Sequence, residues 1–218
     1  VHRGHSFESA LLDAMMLLKE GEAGNVLVGA IDEITNTSFG ILNRMGLYKQ
    51  EIVSSSHLFN TKSRGTIAGE GAAFFLLANE AAATDYAKLD GLQTFYKPGG
   101  IKEIEKNILS FLSQHSISFN DIDLIITGKN GDAKGDELYN QLAGNIFKEN
   151  KTAVYKNLCG EYPTASSFAL WMAANIIKEG VMPASLSENI SITKRINRVL
   201  IYNNYLGIHH SLFLLSAC

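Results

Sequence analysis

The sequence predicts an α/β fold. Short, continuous apolar runs alternate with longer stretches of helical periodicity from one end of the chain to the other. The 218 residues are 46% hydrophobic and 19% charged, enough to bury a core, with 19 Gly but only 3 Pro to punctuate it. No run reaches the roughly 20 apolar residues of a membrane span. The net charge of −3 gives no long-range attraction for nucleic acid or an anionic membrane.

The elements follow in order. Residues 6–20 read as a largely buried helix, with Ser6 as N-cap and Gly21 as stop. Residues 25–31 are a continuous apolar run, the mark of a strand buried on both faces and usually parallel. Residues 37–48 suit a helix, and 54–56 and 60–63 suit loops. Gly69-Glu-Gly71 leads into a second buried strand over 72–77. Residues 80–85 punctuate the chain, so two units are expected, 1–85 and 86–218. In the second unit, strands are expected at 86–96, 122–127, 153–155, 198–202 and 211–215. Helices are expected at 101–115, 136–150 and 166–180. No solenoid-length repeat is present.

Several residues invite chemical readings. Gly65-Thr-Ile-Ala-Gly69-Glu-Gly71 fits neither the dinucleotide fingerprint nor the P-loop, so it reads as a tight turn feeding a strand. His209 and His210 are adjacent on a strand and point to opposite faces, which argues against a shared metal ion. His5-Ser6 stands before a helix, where a positive helix end can activate a nucleophile, although an N-cap serine reads the same way. Lys156 and Glu161 flank Cys159 and Gly160 and suit a buried ion pair. Cys159 has no histidine near in sequence and reads as a small packed side chain. Cys159 and Cys218 lie far apart, with no zinc spacing, as in a reducing, cytoplasmic compartment. No cofactor and no metal is expected.

Taken in order, several segments resemble the β-ketoacyl-acyl carrier protein synthases, condensing enzymes of the thiolase-like fold. Ser9-Ala-Leu11 followed by residues 21–30 is similar to the helix after the family's nucleophile and its next strand. Phe59-Asn-Thr-Lys-Ser-Arg-Gly65 with Gly69-Glu-Gly-Ala72 resembles F-D-x-x-R-D-G-x-x-x-G-E-G-A. Gly135-Asp136, Lys156-Asn-Leu-Cys-Gly160 and Asn203-Asn-Tyr-Leu-Gly with Ser211-Leu212 match pieces of the later motifs. The resemblance implies a layered α-β-α-β-α fold, of which this chain would lack most of the N-terminal half.

The departures concern the chemistry. By the resemblance, the nucleophilic cysteine falls on Gly4, the two catalytic histidines fall on Gly128 and Glu161, and only Lys156 of the core set remains. The glutamate that usually partners that lysine falls on Tyr139. Glycine forms no thioester, and an ionised carboxylate at 161 repels a malonyl anion. The resemblance therefore implies a chain-length-factor-type subunit of fatty-acid or polyketide biosynthesis, itself non-catalytic. Ser6, Thr66 and His209 are the candidate substrate-binding residues.

The implied partners are an active synthase subunit, or a second copy in a homodimer, and acyl carrier protein. The missing N-terminal half is expected as a separate fragment or as part of a longer polypeptide, since the chain starts at Val1 and a synthase of this family is roughly twice as long. The alternative is a divergent condensing enzyme or acyltransferase that uses Ser6, His5 or His209. No nucleic acid and no membrane span is expected.

Overall fold

The computed structural model describes residues 3–183, 186 and 194–218. A 3-10 turn, Arg3–His5, runs into α1 (Ser6–Lys19), β1 (Asn25–Asp32) and α2 (Asn36–Arg44). β2 (Gly71–Ala78) and β3 (Lys88–Tyr96) come next. The chain continues with α3 (Ile101–Gln114), β4 (Leu124–Thr127), α4 (Glu137–Gly144) and β5 (Thr152–Val154). It then forms a single turn, α5 (Lys156–Cys159), followed by α6 (Ser166–Glu179), β6 (Arg198–Tyr205) and β7 (His209–Ser216).

Among the described residues the strands form two sheets. One has the order β3-β7-β6-β4-β5, and the other pairs β1 with β2. β4 runs parallel to β5 and β6, whereas β6, β7 and β3 are antiparallel neighbours. β4 is buried throughout, as its unbroken apolar run requires. The period of two then divides side chains between two cores. Leu124, Ile126, Ile201, Phe213 and Leu215 face α1 and α6, while Ile125, Leu200, Leu212 and Leu214 face α3 and α4. β1 and β2 close the α1/α6 core from its far side through Val28, Ala30, Phe75 and Leu77. The order of layers is helix, sheet, helix, sheet.

Three expectations change. β1 is antiparallel to β2 and is not buried on both faces. Leu27, Ile31, Phe74 and Leu76 on the outward face are all more than half exposed. An apolar run signals that both faces avoid water, but nothing among the described residues covers this one. α1 buries only the stripe Phe7, Glu8, Leu11, Ala14 and Leu18, leaving Met16 and Leu17 exposed. Ser6 is its first helical residue, and His5 holds the cap position.

Local signals set the boundaries. Thr35 caps α2 reciprocally with Ser38. Gly180, at φ 74°, ends α6 in the left-handed conformation that a side chain would resist. Leu206 and Gly207, both at positive φ, turn β6 into β7. No helix among the described residues is long and apolar enough to cross a membrane.

Candidate functional site

A cleft of about 710 Å³ opens between α2, the loop leading into α4, and the β6–β7 turn. Leu42 of α2 and Met45, which caps its C-terminus, line one wall. Thr66, Gly128, Asn130 and Glu161 lie deeper.

The deepest feature is an ion pair. α5 lasts one turn because Gly160, at φ 74°, reverses the chain. That reversal returns Glu161 onto Lys156, whose Nζ lies 2.9 Å and 2.8 Å from the two carboxylate oxygens. The lysine side chain is fully buried and the glutamate nearly so. The segment is held by an earlier stretch of the same chain passing beside it. Glu161 N donates to Ile67 O, and Gly69 N donates to Glu161 O. A Cβ on Gly69 would stand 2.0 Å from Cys159 O, and one on Gly160 would stand 2.5 Å from the Cα of Gly69. Gly69 thus serves a close backbone crossing. The positive φ of 82° belongs to Gly65, so the glycine-rich stretch is only in part the tight turn expected.

The loop from 128 to 136 is clamped over this pair. Asn130 Nδ2 donates to Glu161 Oε2 at 2.6 Å, and Thr66 Oγ1 donates to Asn130 O at 2.6 Å. Asp136 accepts the backbone N–H groups of Asn130 and Gly131. Burial raises the Asp136 carboxyl above its ordinary range despite those donors.

Two tyrosines complete the floor. The Tyr139 hydroxyl accepts from Asn204 N and Asn204 Nδ2 at 3.0 and 2.8 Å. The Tyr155 hydroxyl donates to Asn203 Oδ1 at 2.9 Å. Burial holds both phenols far above their ordinary range, so they remain neutral.

The histidines divide as the strand alternation requires. His209 packs edge-on to His5, with ring centroids 4.7 Å apart, and against Tyr96. His210 points the other way, beside Phe95 and Tyr202. Burial lowers the His210 pKa to about 4, so the ring is neutral at pH 7. Its contacts then assign the tautomer. Nε2–H donates to Gly207 O at 3.3 Å, and Nδ1 accepts from the Tyr202 hydroxyl at 2.8 Å.

The sequence-derived candidates therefore separate. Thr66, Gly128 and Glu161 share the cleft, with Lys156 paired to Glu161 beneath it. Ser6 and His209 are not among the lining residues, whereas His210 is. Cys159 is partly buried, and burial pushes its thiol up to about 12. Asn203 and Asn204 stand in a segment that the resemblance marks, without a role; Asn130 and Tyr155 are not anticipated as site residues. Asn130 sits in the polar stretch Gly128-Lys-Asn-Gly-Asp132, and Tyr155 ends the short apolar run Ala153-Val-Tyr155; neither setting signals a role. The sequence reading also missed Glu8, a carboxyl buried in α1 beside Ser166 and Ser211. Among the described residues no group of three or more His, Cys, Asp or Glu could hold a metal ion.

Residues 6–83 match the family model "Beta-ketoacyl synthase, N-terminal domain". The ishigamide ketosynthase/chain length factor superposes with a TM-score of 0.77 at 17% identity, covering 98% of this chain and 59% of that one. The chain carries the ketosynthase fold. A beta-ketoacyl synthase from Burkholderia phymatum gives 0.77 at 16% identity, over 98% of this chain and 60% of its own. A type II polyketide acyl-carrier protein in complex with its ketosynthase, AntDE:AntF, gives 0.77 at 17%, over 96% and 60%. This ketosynthase-fold chain thus spans about three fifths of the length of those structures. No curated protein matches it in sequence.

Proposed function

We propose that this chain is a non-catalytic, chain-length-factor-type component of a ketosynthase assembly in fatty-acid- or polyketide-type biosynthesis. One observation carries the reading. At the three positions where the family resemblance places the acylated cysteine and its two histidines stand Gly4, Gly128 and Glu161. The last of these is spent in an ion pair with Lys156. Neither glycine offers a nucleophile or a base. A carboxylate neutralising a buried lysine is not poised to donate to a developing oxyanion.

The assembly would include a cysteine-bearing synthase, or a second copy of this chain, together with acyl carrier protein. The outward face of β1 and β2 supports such a partner, because it presents Leu27, Ile31, Phe74 and Leu76 to water. A further ketosynthase half, supplied as additional chain or as a separate fragment, would cover the same face. Native and denaturing intact masses of the purified protein would identify which.

The reading is tested by incubating the protein with acyl carrier protein thioesters and measuring intact mass. No acyl adduct should form on this chain, and a synthase with its cysteine should co-purify and acquire the adduct. An acyl adduct on this chain would overturn the proposal in favour of a divergent acyltransferase.

A further inference from the structure

Gly4 and Gly128 share an unexpected property. Neither has a positive φ, so the backbone at these positions does not require glycine. The requirement comes from what lies against them. A Cβ on Gly4 would stand 2.4 Å from Cδ2, 2.5 Å from Cγ and 3.0 Å from Cβ of His209. These include the root of the imidazole side chain, where a rotation about the Cβ–Cγ bond moves nothing out of the way. The ring itself is packed between His5, Tyr96 and Tyr205. A Cβ on Gly128 would stand 2.3 Å from Asn203 Oδ1 and 2.6 Å from the Tyr139 hydroxyl. Neither atom is at liberty to withdraw. Asn203 Oδ1 accepts the Tyr155 hydroxyl, and the Tyr139 oxygen accepts two donors from Asn204.

We infer that the centre is filled from within: His209 occupies the space of a side chain at position 4, and Asn203 with Tyr139 occupies the space of one at position 128. The inference deepens the non-catalytic reading and rests on it for the identity of the two positions. It adds a mechanism of loss. The glycines and their occupants form matched sets, small against large, in a dense interior that does not stretch to admit extra atoms. Restoring cysteine at 4 and histidine at 128 would therefore not restore an acyl site, because the volume for either side chain is already used. His209, Asn203 and Tyr139 fill that volume, and His209 does so in place of the substrate-binding role considered from sequence.

A double-mutant cycle tests this on the purified protein. Gly4→Ala should lower the thermal midpoint by several degrees. His209→Ala makes room beside the glycine, and Gly4→Ala introduced into that background should cost little. Additive effects of the two substitutions, or a Gly4→Ala variant as stable as the parent, would overturn the inference. If Gly4→Ala alone does not fold, the comparison of His209→Ala with the double variant still decides it, since the double variant must then fold. A second readout uses a thiol. Gly4→Cys in the His209→Ala background should be alkylated by iodoacetamide many-fold faster than Gly4→Cys alone, and equal rates would refute the occupancy. None of these outcomes depends on acyl transfer, so the cycle and the acyl-adduct test can fail independently.

Discussion

Replacing Glu161 by glutamine removes one charge from a pair that water barely reaches. In the parent, both carboxylate oxygens accept from Lys156 Nζ, and Oε2 also accepts from Asn130 Nδ2. Glutamine keeps one acceptor and brings an N–H₂ group to the other position. That group would face either the ammonium or the Asn130 amide, donor against donor. The lysine side chain has no exposed surface through which to recover hydration. Breaking a buried pair by removing one partner costs about 3–5 kcal/mol. At roughly 2–4 °C per kcal/mol for a chain of this size, the midpoint should fall by about 6–20 °C. Differential scanning calorimetry at pH 7 measures it. The double variant Lys156→Met/Glu161→Leu, which removes both charges, should lose far less than Glu161→Gln. A Glu161→Gln midpoint within about 1 °C of the parent, a shift too small for a lost buried pair, would show that the pair is hydrated and would refute the reasoning.

Three further outcomes are expected. Glu8 is buried in α1, and burial raises its carboxyl above the ordinary 4.5, Ser166, Ser211 and Lys156 only partly offsetting this. Its protonated form therefore favours the folded state. The stability it contributes is fully present below about pH 4.5 and is lost as pH rises through the folded value. Glu8→Gln should stabilise the protein at neutral and alkaline pH and flatten this part of the pH–stability curve, as urea titrations across a pH series would show. Tyr139→Phe leaves the Asn204 backbone N–H and side-chain amide without their shared acceptor. The cost should be about 1–3 kcal/mol by denaturant titration, and no measurable loss would mean that the amides rebond elsewhere. Cys159, with its thiol raised to about 12, should resist alkylation at pH 7 until the protein unfolds. Labelling that keeps pace with a free thiol in the folded protein would contradict its burial.

The alternation of elements was legible because the apolar runs at 25–31, 72–77, 122–127 and 198–202 are short and well separated. Ile122–Thr127 was read with the right environment, since β4 is buried on both faces by helices within the same chain. β1 has the same composition and a different environment. Among the described residues no second layer covers Leu27 and Ile31, and composition alone does not distinguish a covered strand face from an open one. The Lys156–Glu161 pair was legible as a possibility because the residues stand five apart, but only the reversal at Gly160 makes them touch. Tyr139 and Asn203 come together with Gly128 across β6 and α4. Nothing in local sequence announces a contact between residues so far apart along the chain.

The crossing of Gly69 and Gly160 has a consequence for how this protein tolerates change. Two stretches that are ninety-one positions apart along the chain share a gap that admits no carbon beyond the backbone. A methyl group at either position would push Glu161 away from the Ile67 carbonyl that anchors it and so would loosen the ion pair from outside the cleft. In a randomised library, both codons should therefore hold at glycine as firmly as the charged residues themselves, although neither glycine carries a functional group. A survey of tolerated substitutions would then single out position 69 for a reason that belongs to its distant neighbour.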